Sequence, residues 1–228
     1  MTIYEKAMKA YREAEKRILN GEEVHVHFSE GNSKTHIPSI DLLPHLTCRG
    51  RCRELCGKVE NGKCLSACYV DKLVNRNPVQ MRNYAENTAL AILKPDLYWA
   101  EVENKMKSCR FMRLFVSGDM IIKGYFERLC AALERNPHCI IQGFTKCYEI
   151  VNRYIANNGK LPDNLKLLFS GWFEYMPINP YNLPESRVYE GDRPEEWLSC
   201  GGNCHNCACV GLGCWKATNG DIVGLKKH

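Results

Sequence analysis

The sequence predicts an α/β fold, a partial (β/α) barrel of parallel strands carrying cysteine-rich metal-binding loops. Two observations carry that prediction. Three apolar runs in the middle of the chain each end in a polar or glycine turn and pass into a helical pattern, at the roughly thirty-residue interval of βαβ units. Ten of the fourteen cysteines fall into two tight groups, Cys48, Cys52, Cys56, Cys64 and Cys68 near the front and Cys200, Cys204, Cys207, Cys209 and Cys214 near the end. Consecutive parallel strands require right-handed crossovers, and the sites of such sheets collect at the carboxyl ends of the strands.

Taken in order, residues 4–19 have helical spacing and good helix formers, and Gly21 stands where that first helix, within residues 1–21, would stop. Residues 24–28 alternate as a strand does, with His25 and His27 on one side and Val24, Val26 and Phe28 on the other. Residues 31–34 break the pattern, and residues 37–43 lead into a cysteine loop over 44–68. Helical patterns follow over 65–75, over 79–93 after Asn77-Pro78, and over 96–106 after Pro95.

The three βα units come next. Residues 111–116 form an apolar run ending in Ser117-Gly118-Asp119, followed by an amphipathic helix over 120–134. Residues 139–144 end in Thr145-Lys146 with a helix over 147–156, and residues 165–169 end in Ser170-Gly171-Trp172. Alternation in the first strand places Phe111, Arg113, Phe115 and Ser117 on one face and Met112, Leu114 and Val116 on the other. Arg113 is out of place in so apolar a strand: it meets a carboxylate or ligand if that face is interior, and solvent if the strand is an edge. Gln142 and Lys166 raise the same question, with a surface position expected for Lys166. Beyond Trp172, Pro177, Pro180 and Pro184 mark a loop, residues 187–190 a short strand, and residues 198–216 the second cysteine block.

A chain of 228 residues can bury a full core, so a single domain over 1–228 is expected and cysteines are not needed as staples. No apolar signal core opens the chain and no run reaches the ~20 apolar residues of a membrane span. That implies a cytoplasmic protein with no membrane partner, whose thiols ligate metal or do redox chemistry instead of forming disulfides. The formal charge of +5 is modest, but Arg49, Arg51, Arg53, Lys58 and Lys63 crowd the front cysteines. They either offset thiolate charge or form a docking surface for nucleic acid or another anion.

Cys200-x3-Cys204-x2-Cys207 supplies three closely spaced thiolates, and Cys209 or Cys214 a fourth. Four thiolates suit a [4Fe–4S] cluster or a tetrahedral zinc. The front group reads Cys48-x3-Cys52-x3-Cys56-x7-Cys64-x3-Cys68. Three ligands there would leave one iron open to a substrate or cofactor; structural zinc is the alternative. His205 is expected at the surface, and Cys109, Cys130, Cys139 and Cys147 as small buried hydrophobes.

The run Gly31-Asn32-Ser33-Lys34-Thr35, the Cys64-x3-Cys68-Tyr69 ending, Val116-Ser117-Gly118-Asp119, Phe144-Thr145-Lys146, Phe169-Ser170-Gly171-Trp172 and the block Cys200-Gly201-Gly202-Asn203-Cys204 together resemble a phage- and prophage-borne family labelled by a gene-product number. That family is itself similar to radical S-adenosylmethionine (SAM) proteins. The resemblance implies a catalytic cluster on Cys48, Cys64 and Cys68, with Cys52 or Cys56 as substitutes, and a second cluster at the C-terminal group. It implies SAM bound by Ser117, Gly118, Asp119, Thr145 and Ser170, catalytic roles for Asp119, Lys146 and Arg113, an electron donor as partner, and a substrate not specified. Ser117-Gly118-Asp119 resembles the segment that contacts the methionine amino group of SAM, and Asp119 is equally placed to cap a helix. The front loop is longer than the usual radical SAM loop, and Tyr69 follows its last cysteine. Two other classes stand beside this one: a zinc- or cluster-stabilised module binding nucleic acid or a host protein, and a redox or electron-transfer protein.

Overall fold

The computed structural model of the chain describes residues 2–31, 36–48, 59–60, 63–64, 69–171 and 176–226. Helix α1 (Ile3–Leu19) starts from a capping box in which Thr2 and Glu5 exchange hydrogen bonds, and Gly21 ends it with a φ of 81°. Short strands β1 (Phe28–Ser29), β2 (Ser39–Ile40), β3 (Val59–Glu60) and β4 (Lys63–Cys64) precede a run of three helices, α2 (Tyr69–Arg76), α3 (Pro78–Leu93) and α4 (Pro95–Ser108). Then come β5 (Phe111–Leu114), α5 (Tyr125–Arg135), β6 (Ile140–Thr145), α6 (Tyr148–Asn158) and β7 (Leu165–Gly171). The chain closes with β8 (Glu185–Tyr189), β9 (Leu198–Ser199), α7 (Cys204–Val210), a 3-10 turn at Gly213–Trp215 and β10 (Ile222–Lys226).

Eight strands form one sheet in the order β1-β2-β5-β6-β7-β8-β10-β9, and β3 and β4 form a separate hairpin. Only β1 pairs antiparallel within the large sheet. From β2 through β8 each new strand adds on the same side, without a reversal of order. Right-handed crossovers that always advance one way place their helices on one face. Met112, Leu114, Ile141, Leu165, Leu167 and Phe169 pack on that side in the main core with residues of α3 to α6. The opposite face carries Phe111 and Ile140, packed against Cys204, Cys207 and Trp215, and Phe144 and Leu168, packed against Cys214, Ala217 and Val223. The C-terminal cysteine segment therefore covers the face that the helices leave open.

Three elements differ from expectation, each for a local reason. Residues 24–27 have the expected alternating burial, but their backbone bonds go to side chains: Glu101 accepts from the Val26 amide at 2.7 Å, and Asn87 holds both the amide and the carbonyl of His27 at 2.8 and 2.9 Å. Only Phe28 and Ser29 are left to pair as strand. Helix α5 starts at Tyr125 instead of near residue 120 because Gly124, with a φ of 75°, turns the chain into it. Strand β10 was not anticipated; its five residues lie between β8 and β9 and complete the sheet.

Candidate functional site

The carboxyl ends of β2, β5, β6 and β7 meet in a buried polar cluster. Strand β5 ends when Phe115 turns into a left-handed conformation (φ 56°), and Ser117 to Asp119 then run back beside the end of β2. Asp41, one residue beyond β2, accepts from the Ser39 hydroxyl at 2.7 Å and from the Ser117 amide at 3.1 Å. The Ser117 hydroxyl donates to the Leu42 carbonyl at 2.9 Å. A Cβ on Gly118 would sit 2.5 Å from the Thr47 hydroxyl and 2.7 Å from the Leu42 carbonyl oxygen, so only glycine fits there. Ser117 and Gly118, expected as cofactor contacts, are thus engaged by the protein's own chain.

Asp119 is buried and takes three protein donors. Its Oδ1 accepts from the Thr145 hydroxyl at 2.7 Å and the Met120 amide at 2.8 Å, and its Oδ2 from the Lys146 amide at 2.8 Å. Burial pushes this carboxyl above its ordinary range, opposed by the Lys146 amide, the Thr145 hydroxyl and the Met120 amide. Asp41 is likewise raised by burial, opposed by Ser39, the Ser117 amide and the Arg113 charge. The two acids act as buried ties between strand ends. Lys146, half-buried, donates through Nζ to the Ser170 hydroxyl at 2.9 Å, and the Tyr148 hydroxyl donates to the Ser170 carbonyl. Lys146 and Ser170 are the members of the cluster whose side chains join β6 to β7 at the rim.

The front cysteine loop leaves from this same place. Thr47 accepts the Asp119 amide at 3.1 Å and donates to the Leu43 carbonyl at 2.8 Å; Cys48, half-buried, is the next residue. Cys64 belongs to β4, and its side chain lies outside the described atoms, as do residues Cys52, Cys56 and Cys68 and the basic run Arg49, Arg51, Arg53 and Lys58. Gly31 is described, and Trp172 lies outside the described residues.

A second polar group lies on the open face of the sheet. Ser39 pairs with Arg113, Arg113 with Gln142, and Gln142 with Lys166, so the three residues that looked out of place in their strands form one row with Ser39. Arg113 Nε donates to Gln142 Oε1 at 3.3 Å. Gln142 is 1% exposed, and its amide nitrogen has no partner among the described residues. Arg113 thus meets an amide, the field of Asp41 and the thiols above it. A bound carboxylate is not required to explain it.

Four C-terminal thiols gather over that row. Burial raises Cys204, and Cys200 and Cys207 add to the rise while Arg113 opposes it. Burial, with Cys200 and Cys204 beside it, pushes Cys214 up to about 12, again against Arg113. Gly201 lacks the Cβ that would stand 2.9 Å from the Cys207 sulfur, and Gly213 comes close to the Ser199 carbonyl, which brings Cys214 beside Cys200. Cys209 is exposed, with its sulfur 3.9 Å from His205 Nε2 on the outer side of α7. Among the described residues, no three His, Cys, Asp or Glu side chains converge as a site for a single metal ion. The group combines soft thiols, a neighbouring guanidinium and an amide nitrogen without a partner among the described residues.

A family model described as Gene product 88 matches residues 8–187. The chain belongs to the Gene product 88 family. The match takes in the front cysteines and the strand-end cluster and stops within β8, before the C-terminal cysteine block. No curated protein and no solved structure matches the chain. No helix among the described residues is long and apolar enough to cross a membrane.

Sequence reasoning missed Asp41, Thr47 and the buried trio Glu86, Asn87 and Thr88 of α3. Asp41 had a signal, since it is the one acid in the apolar run Ile40, Leu42, Leu43. Thr47 and the α3 trio had none, because their partners lie about forty to seventy positions away in the chain, as in the Thr88 hydroxyl accepting from the Leu43 amide and Asn87 donating to the Asp41 carbonyl.

Proposed function

We propose that this member of the family is an iron–sulfur enzyme of radical SAM type, built as a partial (β/α) barrel. The observation that carries the reading is the departure point of the front cysteine loop: Thr47 is bonded to Asp119 at the carboxyl end of the parallel strands, and Cys48 follows. A cluster on Cys48, Cys64 and Cys68, with Cys52 or Cys56 in reserve, would then face the strand ends. When bound, a reduced cluster held there would supply an electron for reductive cleavage of SAM, and so the means of abstracting hydrogen from a substrate.

The chain's own residues bind and orient. Lys146 offers an ammonium group to the SAM carboxylate, and Ser170 fixes the Lys146 side chain by accepting from it. Asp119 and Thr145 hold the turn that carries Lys146, since Asp119 accepts from both the Thr145 hydroxyl and the Lys146 amide. Ser117 and Gly118 set the shape of the pocket floor by their close packing on Leu42. In this reading Asp119 acts through Lys146 as a positioning residue.

The test is a metal and product assay on protein purified without oxygen. About eight irons with matching sulfide are expected per chain, and dithionite with SAM should yield 5′-deoxyadenosine. Cys64→Ala should abolish that product, and Lys146→Ala should weaken SAM binding while leaving the iron content unchanged. About two zincs and no sulfide, as two tetrahedral thiolate sites would give, would end the radical reading in favour of a zinc-stabilised binding module.

A further inference from the structure

We infer that Cys200, Cys204, Cys207 and Cys214 hold a cubane iron–sulfur cluster on the open face of the sheet, with the Gln142 amide as its hydrogen-bond donor and Arg113 and Lys166 as its counter-charges. Its four cysteines lie beyond the family match, whereas Arg113, Gln142 and Lys166 lie within it. It is the second of the two clusters counted in the roughly eight irons above, and it does not depend on the front cluster. SAM chemistry is not needed for it.

Four features select the ligand set and the metal. The sulfurs of Cys204 and Cys214 each lie in the field of Cys200, and both lie in the field of Arg113, so the thiols surround one region above β5 and β6. Cys209 faces away, exposed beside His205, which leaves Cys214 as the fourth ligand. A single tetrahedral zinc needs all four sulfurs about 2.3 Å from one point, whereas Cys204 and Cys207 pack with Phe111 and Ile140 and Cys214 packs in a separate group with Phe144 and Leu168, so the thiols are spread along the sheet face. A cubane offers a separate iron to each thiolate, so its ligands stand further apart around a shared body.

The row beneath supplies what such a body needs. A cluster bound by four thiolates carries net negative charge, and a buried negative charge requires nearby cations and donors. Arg113 and Lys166 are the cations, two strands apart in the same row. Gln142, between them, has its oxygen turned to Arg113 and its buried amide nitrogen without a partner among the described residues. An orphan donor of this kind is costly unless something accepts from it, and a cluster sulfide or ligating thiolate is an acceptor of suitable charge. Phe111, Ile140 and Leu168 furnish the apolar remainder of the floor.

Hydrogen bonds to the sulfurs and nearby positive charge both make a cluster easier to reduce. The experiment uses the full chain purified without oxygen, with iron and sulfide counted per chain and reduction potentials read by redox titration followed by electron paramagnetic resonance. Cys214→Ser and Cys204→Ser should each remove about four irons, Cys209→Ser none, and Gln142→Leu should keep the iron and move one cluster signal to more negative potential. Arg113→Met should move the same signal in the same direction.

Loss of iron in Cys209→Ser would overturn the ligand set even if the other cysteine variants failed to fold. Full iron in Cys214→Ser would overturn it too, and an unmoved potential in Gln142→Leu would remove the donor. The C-terminal variants should keep the iron that Cys64→Ala removes, which distinguishes the two clusters. A protein that keeps about four irons sensitive only to the C-terminal variants therefore upholds this inference while ending the radical reading, and iron sensitive only to Cys64→Ala does the reverse.

Discussion

The two faces of the parallel sheet are closed by different means. On one side Met112, Leu114, Ile141, Leu165, Leu167 and Phe169 pack into the apolar surfaces of α3 to α6, a continuous and mainly apolar core. On the other side the described residues form two small apolar groups, around Trp215 and around Val223, and four thiols lie with a polar row of strand residues between sheet and coil. The helix side is a self-sufficient hydrophobic core. The open side carries thiols and polar strand residues in place of a continuous apolar layer.

Cysteines report burial on both faces, since Cys214 over the open face is pushed up to about 12 as the helix-side thiols are, whereas Cys209 on the outer side of α7 is exposed. Burial pushes Cys130 and Cys139, on the helix side, up to about 12. At pH 8 a thiol of that pKa is ionised about a thousand-fold less than an ordinary one, and the thiolate is the reactive form. In metal-free native protein treated with iodoacetamide at pH 8, Cys209, which is exposed, should be alkylated at least about a thousand-fold faster than Cys130 or Cys139. Site-resolved mass spectrometry reads the ratio. Comparable rates would mean that the helix-side core opens readily to the reagent, and its description as a closed core would break.

The same contrast divides what could be read in the sequence. Helices α1, α3 and α4 and strands β5, β6 and β7 follow from periodicity, because their partners are other apolar surfaces and one stripe is like another. The alternation in β5 also placed Arg113 opposite Met112 and Leu114 correctly. What alternation does not contain is register: nothing in the local sequence says that Arg113, Gln142 and Lys166 stand side by side across three strands. The strand-end residues were legible as a set, since Ser117, Asp119, Thr145, Lys146 and Ser170 do come together. Their bonding was not, because Asp119 is engaged by an amide, a hydroxyl and a neighbouring strand that only the fold brings near. Strand β10 escaped notice because its five residues carry no alternation and its neighbours β8 and β9 are themselves short.

Truncation of one leucine on each face sharpens the comparison energetically. Leu114 and Leu168 are both fully buried, the first in the helix-side core and the second beneath Cys214. Leu114→Ala should cost about 3 kcal/mol, the usual price of a buried cavity, and urea unfolding should give the same value with metal bound or removed. Leu168→Ala should cost a similar amount in metal-loaded protein but less than about 1 kcal/mol after metal is stripped, because surroundings that have already loosened leave a smaller cavity. Equal costs for Leu168→Ala in both states would show that the open face packs without a bound group.

The smallest effect tests a point where the two faces are coupled electrostatically. Asp41 is tied to Ser39 and to the Ser117 amide at the strand ends, and it lies in the field of Arg113 from the open side. Its carboxyl is raised in the folded protein above the ordinary value of 3.8, so between these two values the folded state holds more protons than the unfolded one. Its contribution to stability is therefore complete below about pH 3.8 and is lost as pH climbs through the raised pKa. Removing the Arg113 charge raises that pKa further, at about 1.4 kcal/mol per unit, which extends the fall to higher pH. Arg113→Met should thus lose more stability than the parent protein as pH rises from 4 to 7 in metal-free protein, below the range where free thiols ionise. Leu114→Ala, which shifts stability without touching a charge, should run parallel to the parent across the same range. Parallel curves for Arg113→Met as well would place the arginine's charge outside the reach of Asp41 and confine it to the thiol side.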